Sequence, residues 1–434
     1  MAALELDVFF EGMATPAGRL IRSDDGATSF RYLTDDIPHP LSLSLPVRDE
    51  PFSDSLTRGF FSNLLFENAQ REQIMQRHGI DFSDVVGLLA HLGADCPGSI
   101  SCVPVGTGPA KMPGDLEADY VPLTSNDLLR VMASLRDFRR VPDDTNDPSP
   151  LAGVQGKIAL ARRPDGSFAL PRPGLNVPTT HILKVPRAGE MTTVNQEHLL
   201  MGIMAEVQRH PVAHTEIIGE GDLRGLLVER FDRIVEGNTV RRLHQEDFAQ
   251  ALGLGPQMKY QRNGTAERCF NADAIRRVLD RTAAPGRSRQ AFLEITLANL
   301  LLGNTDNHAK NHALLYRGPR PDLAPVYDVA PVLVDDQVLH QLSFDIGAAI
   351  MTDEVTSMDM NAFILAMGFP RITRALMERL RSVVRDIVGK IPDMNGPARK
   401  RIGDAISEQA KWIAPAVGEG IDIPERDLIV VNRP

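Results

Sequence analysis

The pattern of apolar positions changes character along the chain. Segments that alternate in the manner of β-strands dominate the first half, for example LELDVFFEG, LSLSLPV and THILKVP. GKIALARRPDGSFALP predicts two further strands around a Pro-Asp-Gly turn. Beyond about residue 244 apolar residues recur at helical spacing, most clearly in ALMERLRSVVRDIVGKI. The pattern therefore predicts an α+β fold in which a strand-rich part precedes a helical one.

Two breaks divide this pattern into three parts. Four prolines and three glycines lie in the segment from Val103 to Pro122, and VPDDTNDPSP ends just before Leu151. A chain of 434 residues is also too long for one ordinary domain. We expect an α/β domain over residues 1–110, a strand-rich part over 111–240 and a helical part over 241–434.

Composition excludes several classes of protein. The 47 Lys and Arg residues against 57 Asp and Glu residues give a net charge of −10, which does not suit a chain that coats nucleic acid by itself. The three cysteines form no C-x-x-C pair, which argues against a disulfide framework and a zinc ribbon. No signal peptide and no apolar stretch of membrane-spanning length is found, so we expect a cytoplasmic protein.

The densest group of polar residues in an apolar setting is GNTDNHAKN, which follows a predicted buried helix whose apolar run, LANLLL, ends at Leu302. It places Asp306 and Asn311 in a D-x-x-x-x-N spacing, which in phosphoryl transfer lets the aspartate orient a hydroxyl while the asparagine binds metal. Asp328 lies downstream in the apolar segment LAPVYDVAP. Carboxylate and amide oxygens suit Mg²⁺ carrying phosphates. A solvated loop with Asx-type caps is the structural alternative.

The strand-rich part supplies cations and glycines that suit phosphate. Lys184 lies inside the apolar strand THILKVP, and Glu197 borders the apolar face of the next helix. The segment Gly153–Lys157 offers two glycines whose neighbouring backbone N–H groups can approach phosphate oxygens. Each feature also has a purely structural alternative. Lys184 can extend its ammonium group into water, Glu197 can be an ordinary glutamate of a first helical turn, and the glycine segment can be an ordinary turn.

Other chemistries have less support. His308 and His312 have the spacing of zinc ligands on a helix, but Ala309 occupies the position where a zincin needs glutamate. There is no G-x-S-x-G motif, and no cysteine has an obvious base beside it in the sequence. Phosphoryl transfer is therefore favoured over metal hydrolysis and acyl transfer.

The order and wording of these segments resemble the HipA family, serine/threonine kinases that act as toxins in bacterial toxin–antitoxin pairs. The matching segments include FFSNLLFEN, LAGVQGK, THILKVP, VERFDR, KYQ, GNTDNHAKN and LAPVYDVAP, from about residue 40 to residue 330. The resemblance implies a family-specific N-terminal α/β domain over 1–110. A kinase-like small lobe over 111–240 and a helical large lobe over 241–434 would follow, with ATP in the cleft between the lobes.

The resemblance also implies roles for individual residues. Asp306 is expected to be the catalytic base or to orient the substrate hydroxyl. Lys310 is expected to stabilise charge on the transferred group, and His308 to lie beside the phosphates. Asn311 and Asp328 are expected to bind Mg²⁺. The expected ATP-binding residues are Gly153, Val154, Gln155, Gly156, Lys157, Lys184, Glu197, Glu229, Phe231, His308 and Tyr327.

Partners and regulation follow from the same resemblance. The expected substrate is an aminoacyl-tRNA synthetase of the glutamyl type, and the expected partner is a small HipB-like helix-turn-helix antitoxin that carries the pair to operator DNA. A row of arginines over residues 371–385 is a candidate basic stripe, with a solvated helix face as its alternative. Pro150 stands where family members carry an autophosphorylated serine, which leaves Ser149 as the nearby hydroxyl.

Two other functions remain open from the sequence. One is a catalytically silent, nucleotide-binding co-repressor subunit, which needs the fold but no turnover. The other is a small-molecule phosphotransferase, which shares the aspartate and asparagine pattern.

Overall fold

The computed structural model describes residues 2–65, 75, 76, 78–142, 144, 145 and 156–434. The chain divides into two compact units. The first consists of Met1–Met191, Glu216–Pro256 and Leu314–Pro321, and the second of Thr192–Thr215, Gln257–Ala313 and Asp322–Pro434. Within the described residues the first unit holds most of the strands and the second most of the helices, so the predicted mixed α and β class is confirmed.

The first unit begins with a four-stranded antiparallel sheet in the order β3-β2-β1-β4. Its strands are β1 (Leu4–Phe10), β2 (Gly18–Arg22), β3 (Thr28–Tyr32) and β4 (Ile100–Pro104). The register sets Leu6 opposite Leu20 and Val8 opposite Cys102, so alternate apolar side chains share one face. Helices α1 (Asp54–Phe61) and α2 (Val85–Leu92) contribute to the core of this sheet.

The expected strand over LSLSLPV is wrong. Residues 41–47 form a turn with an isolated bridge between Ser42 and Leu45. The hydroxyls of Ser42 and Ser44 donate to the backbone oxygen of Gln250 at 3.2 and 2.7 Å. The serines are therefore hydrogen-bond donors to a distant segment of the same unit and not the solvent side of a sheet.

A six-stranded sheet follows, in the order β10-β11-β9-β7-β8-β6. Its strands are β6 (Tyr120–Pro122), β7 (Gly156–Arg162), β8 (Phe168–Pro171), β9 (His181–Val185), β10 (Thr215–Glu220) and β11 (Leu223–Glu229). The predicted hairpin is confirmed, because β7 and β8 pair antiparallel with Ala161 opposite Ala169. Helix α3 (Ser125–Phe138) packs on this sheet through Val131 and Leu135.

Shorter elements complete the strands of the chain. They are β5 (Gly114–Asp115), β12 (Arg233–Glu236), β13 (Thr239–Arg242), β14 (His244–Asp247), β15 (Ala313–Tyr316) and β16 (Asp322–Leu323). Strand β13 pairs with both β12 and β5. A short helix, α5 (Phe248–Ala251), directly follows β14.

The second unit is built around one buried helix. Its helices are α4 (Met191–Val207), α6 (Ala272–Leu279), α7 (Pro285–Leu302), α8 (Ser357–Ala366), α9 (Arg374–Val388) and α10 (Pro397–Ala416). Helix α7 contacts α6, α9 and α10, and its last three turns are almost wholly buried. The predicted apolar stripe of α9 is confirmed by the burial of Leu376, Leu380 and Val384.

The end of α7 positions the polar segment that follows it. The helix ends at Leu302, as expected, and Gly303 takes a left-handed conformation with φ of +71°. A Cβ atom at this position would lie 2.8 Å from Cβ of Leu333. Glycine is therefore required by both conformation and space, and the chain turns sharply out of the buried helix.

Three of the five arginines in the candidate basic stripe are used inside the second unit. Arg379 donates to Glu294 and to a backbone oxygen, Arg381 donates to a backbone oxygen, and Arg385 pairs with two glutamates. These side chains stabilise the packing of α9. Among the helices of the described residues, none is long and apolar enough to cross a bilayer.

Candidate active site

The polar segment after α7 is a compact loop held by its own amides. Asn304 donates from Nδ2 to Oδ1 of Asn299 at 2.9 Å, which ties the loop to α7. Asn311 donates from Nδ2 to the backbone oxygen of Asp306 at 2.7 Å. This second bond closes the loop between the two residues of the D-x-x-x-x-N pattern. The bond uses the Nδ2 side of the amide, and the amide oxygen of Asn311 is an atom of the type that binds cations.

The carboxylate of Asp306 is held by a residue to which the sequence assigned no role. The hydroxyl of Tyr260 donates to Oδ1 of Asp306 at 2.6 Å. Tyr260 belongs to the KYQ segment, 46 residues earlier in the chain. In the sequence, the only sign of Tyr260 was that it lies in a segment resembling the family. A single tyrosine in a polar stretch forms no motif with other residues.

His308 lies buried next to these groups. Its side chain packs edge-on against the ring of Tyr260, with ring centroids 5.2 Å apart, and the residue is 7% exposed. Burial lowers the pKa of His308, while Asp306 and Asp328 act on it in the opposite direction. Both carboxylates therefore lie within electrostatic reach of this imidazole. Its Nδ1 atom is buried and has no hydrogen-bond partner.

Asp328 is brought to the loop by the residue before it. The hydroxyl of Tyr327 donates to the backbone oxygen of Lys310 at 2.7 Å. Asp328 itself has a φ of +59°, a left-handed conformation that is uncommon outside glycine. Such conformations persist where surrounding structure fixes them, often at functional sites. The second unit thus collects Asp306, Asn311 and Asp328 around one loop.

His312 does not share this environment. Its ring lies 4.6 Å from the ring of Phe292 between centroids, and burial lowers its pKa to about 3. It is a neutral core residue on the way into β15. In the part of the chain that the structure describes, no three His, Cys, Asp or Glu side chains are grouped to bind a metal ion.

Two lysines of the first unit face each other across neighbouring strands. Lys157 on β7 and Lys184 on β9 are directly opposite in the antiparallel register. Residues in such a pair project from the same face, and like charges in this position repel. Two cationic side chains on one face can both contact the oxygens of a phosphate. This pair is the feature of the six-stranded sheet that best suits phosphate.

Of the remaining predicted residues, some have a described position in the structure and others lie outside the described residues. Glu229 is the exposed last residue of β11, and Phe231 follows it. Between Phe231 and β12, the buried carboxylate of Asp232 pairs with Arg230 and Arg233 and fixes the segment. Glu197 is a buried residue of α4. Gly156 opens β7, whereas Gly153, Val154, Gln155 and Ser149 lie outside the described residues.

The donor set around the loop fits a magnesium ion. Asn311 and Asp328 offer an amide and a carboxylate oxygen, the hard ligands that Mg²⁺ prefers. Few protein ligands are needed, because Mg²⁺ at phosphoryl-transfer sites takes its other ligands from phosphates and water. Asn311 is already oriented by its bond to Asp306.

Comparison with known proteins places these features in a family. The family model described as the HipA-like C-terminal domain matches residues 149–393, and that of the HipA N-terminal domain matches residues 6–103. The kinase-named protein Y4mE of Sinorhizobium fredii is 30% identical over 95% of this chain and 99% of its own length. The chain belongs to the HipA family. It is an enzyme of this kinase family.

Further relatives agree with this assignment. A Shewanella oneidensis protein named serine/threonine-protein kinase toxin HipA is 28% identical, with 82% of each chain covered. The solved structure of HipA from the Shewanella oneidensis complex of HipA, HipB and operator DNA superimposes with a TM-score of 0.75. That match covers 95% of this chain and 96% of the other at 24% identity, so it shows a shared fold. The family and fold expected from the sequence are confirmed.

Proposed function

We propose that the chain is a Mg²⁺-dependent ATP:protein serine/threonine phosphotransferase that serves as the toxin of a toxin–antitoxin pair. The observation that carries this proposal is the loop that joins Asp306, Asn311 and Asp328 through two side-chain-to-backbone bonds. A subunit that only bound nucleotide would need no carboxylate held for a substrate hydroxyl.

Each residue then has a chemical task. Asp306 accepts a hydrogen bond from the attacking hydroxyl and receives its proton, and Lys310 stabilises charge on the phosphoryl group. Asn311 and Asp328 would bind Mg²⁺, which neutralises phosphate charge when present. His308, neutral through burial, lies beside this group as a hydrogen-bonding partner for phosphate.

The first unit supplies the nucleotide-binding residues. Lys157 and Lys184 form the opposed cationic pair and bind phosphate oxygens. Glu229 and Phe231, at the end of β11, hold adenine. The segment Gly153–Gln155 contacts the phosphates. In the second unit Glu197 and Tyr327 complete the set. Ser149 remains the proposed site of self-phosphorylation.

The proposed protein substrate is an aminoacyl-tRNA synthetase, in first place the glutamyl enzyme. The test is transfer of labelled phosphate from Mg·ATP to purified glutamyl-tRNA synthetase and, in parallel, to a cell extract. Labelled protein should appear with the unchanged chain and disappear with Asp306→Asn or with excess EDTA. Asp222→Asn, whose side chain is 92% exposed, is the matched control and should label normally.

The outcomes separate the alternatives. Equal labelling by Asp306→Asn would refute the role of Asp306. Nucleotide binding without any labelled product would favour the silent co-repressor, and label found only in small molecules would favour a small-molecule phosphotransferase. Label in an extract protein other than the synthetase would retain the kinase and replace its substrate.

The proposed partner is a HipB-like antitoxin that brings the pair to operator DNA. Its support is the Shewanella oneidensis structure, which contains HipA, HipB and operator DNA. The test is co-purification of the chain with a small helix-turn-helix protein encoded beside it, followed by a mobility shift of the intervening DNA. A shift by the antitoxin alone that the chain leaves unchanged would contradict the co-repressor role.

A further inference from the structure

The contact between Tyr260 and Asp306 joins a phenol to the carboxylate that handles the substrate hydroxyl. The donor–acceptor distance of 2.6 Å is typical of a bond from a hydroxyl to a charged oxygen. The bond occupies Oδ1, so the carboxylate cannot rotate freely about its χ2 axis. A carboxylate held by one oxygen presents the other in a fixed direction.

The backbone on both sides of Tyr260 is tied to the same loop. The backbone oxygen of Lys259 accepts from the N–H of Ala309 at 3.1 Å. The N–H of Gln261 donates to the backbone oxygen of Ser343 at 2.8 Å, and Oγ of Ser343 donates to the backbone oxygen of Thr305 at 2.8 Å. Residues 259–261 are therefore tied directly to Ala309, three residues after Asp306, and through Ser343 to Thr305, the residue before it.

The ring of Tyr260 also contacts the side chains of Arg262 and His308. The guanidinium carbon of Arg262 lies 4.1 Å from the ring centroid, and His308 packs edge-on at 5.2 Å. Arg262 is held in turn by a bond from Nη1 to the backbone oxygen of Leu342 at 3.3 Å. A cation over a phenol ring withdraws electron density from it and makes the hydroxyl a stronger hydrogen-bond donor.

We propose that Tyr260 is a positioning residue for the phosphoryl transfer reaction. Its hydroxyl fixes Asp306 by Oδ1, so that the second oxygen faces the attacking hydroxyl in the geometry that reaction needs. Tyr260 acts through Asp306 and not by contact with ATP. The inference rests on the proposed function, because it assumes that Asp306 receives the substrate hydroxyl. A hydrogen bond to a charged group is worth about 1.5–3 kcal/mol, which corresponds to about 10- to 100-fold in rate.

The test is Tyr260→Phe, which removes the hydroxyl and retains the ring between Arg262 and His308. Phosphate release from Mg·ATP with water as acceptor is measured, so the assay does not depend on the protein substrate. We expect kcat to fall about 10- to 100-fold with KM for ATP within twofold of the unchanged chain. Tyr120→Phe is the matched control, because it removes one tyrosine hydrogen bond to a backbone oxygen within the first unit. It should leave both constants unchanged.

A double variant separates this inference from the proposed function. If Asp306 carries the effect, Tyr260→Phe should have no further effect on the residual rate of Asp306→Asn. Full activity of Asp306→Asn would overturn the proposed function itself. A loss in Asp306→Asn with kcat unchanged in Tyr260→Phe, or with only KM raised, would overturn the positioning role alone. Equal losses of kcat in Tyr260→Phe and Tyr120→Phe would also overturn it.

Discussion

Glu246 is a buried carboxylate whose protonation should control the stability of the first unit. It is 0% exposed and accepts hydrogen bonds from the backbone N–H of Leu43 at 3.0 Å and from the hydroxyl of Tyr316 at 2.5 Å. The hydroxyl of Ser42 also donates to it. These donors come from the turn at residues 42–43 and from β15, so the carboxyl group joins the N-terminal domain to β14 and β15.

Burial raises the pKa of Glu246 from its ordinary value of 4.5 to about 7, although its three donors act in the opposite direction. Because the pKa of the folded state lies above that of the unfolded state, folding takes up a proton between these values. The stability that protonation provides is complete below about pH 4.5 and is lost as the pH rises through about 7. At 1.36 kcal/mol per pH unit the loss is about 3 kcal/mol.

Three other titratable groups lie near Glu246 and must be considered. Asp247 follows it in the chain and raises its pKa further. The rings of His39 and His244 stack together and against Tyr316, and burial lowers the pKa of both histidines. The histidines therefore remain neutral above their lowered pKa values and add no charge near Glu246 in the upper part of the window.

The assay is urea unfolding of the unchanged chain and of Glu246→Gln at intervals from pH 4.5 to 8. The amide cannot ionise, so the free energy of unfolding of the unchanged chain should fall relative to that of the variant by about 3 kcal/mol over this range. Glu236→Gln is the control, because its carboxylate is 64% exposed on β12. Parallel pH profiles for the unchanged chain and Glu246→Gln would refute the reasoning.

Two further predictions concern packing, and both use the free energy of unfolding. Gly59→Ala should lower it by about 1–3 kcal/mol, because a Cβ atom at this position would lie 2.1 Å from the backbone oxygen of Gly253. Gly202→Ala on α4 is the control. A Cβ atom there meets no atom within 4 Å, so this variant should gain up to about 1 kcal/mol. Glu294→Gln should lose about 3–5 kcal/mol of this free energy, because it removes the buried negative charge that pairs with the guanidinium of Arg379 at 2.8 Å. If Gly59→Ala or Glu294→Gln lowers the free energy of unfolding by less than about 1 kcal/mol, the argument for that variant is contradicted.

The sequence was most informative where physical chemistry restricts the residue type. The apolar run ending at Leu302 predicted a buried helix, because such a run is stable in a helix only when other apolar residues cover it. Asp306, Asn311 and Asp328 stood out because oxygen donors inside apolar segments are costly unless they bind something. Their roles in catalysis remain predictions, but their placement around one loop follows from contacts in the structure.

The alternation of leucine and serine over residues 41–47 shows where such reasoning fails. The same pattern fits a half-buried strand and a turn whose serines donate to a distant segment, and only the partners distinguish them. Those partners are Glu246 and Gln250, more than two hundred residues away. A local pattern contains no information on contacts at that separation.

The contacts that hold the carboxylate of Asp306 and its loop are of this distant kind. Tyr260 reaches Asp306 across 46 residues, and Ser343 reaches the backbone of Thr305 across 38. A catalytic role restricts the residue type, because only a few side chains have the required chemistry. A residue that holds a loop often bonds to a backbone oxygen, which every residue offers, so its partner cannot be recognised from residue type. A single sequence therefore reveals the reacting groups before the residues that orient them. For this chain the structure identifies Tyr260 as the residue that holds Asp306, and the Tyr260→Phe variant measures how much that hydrogen bond contributes.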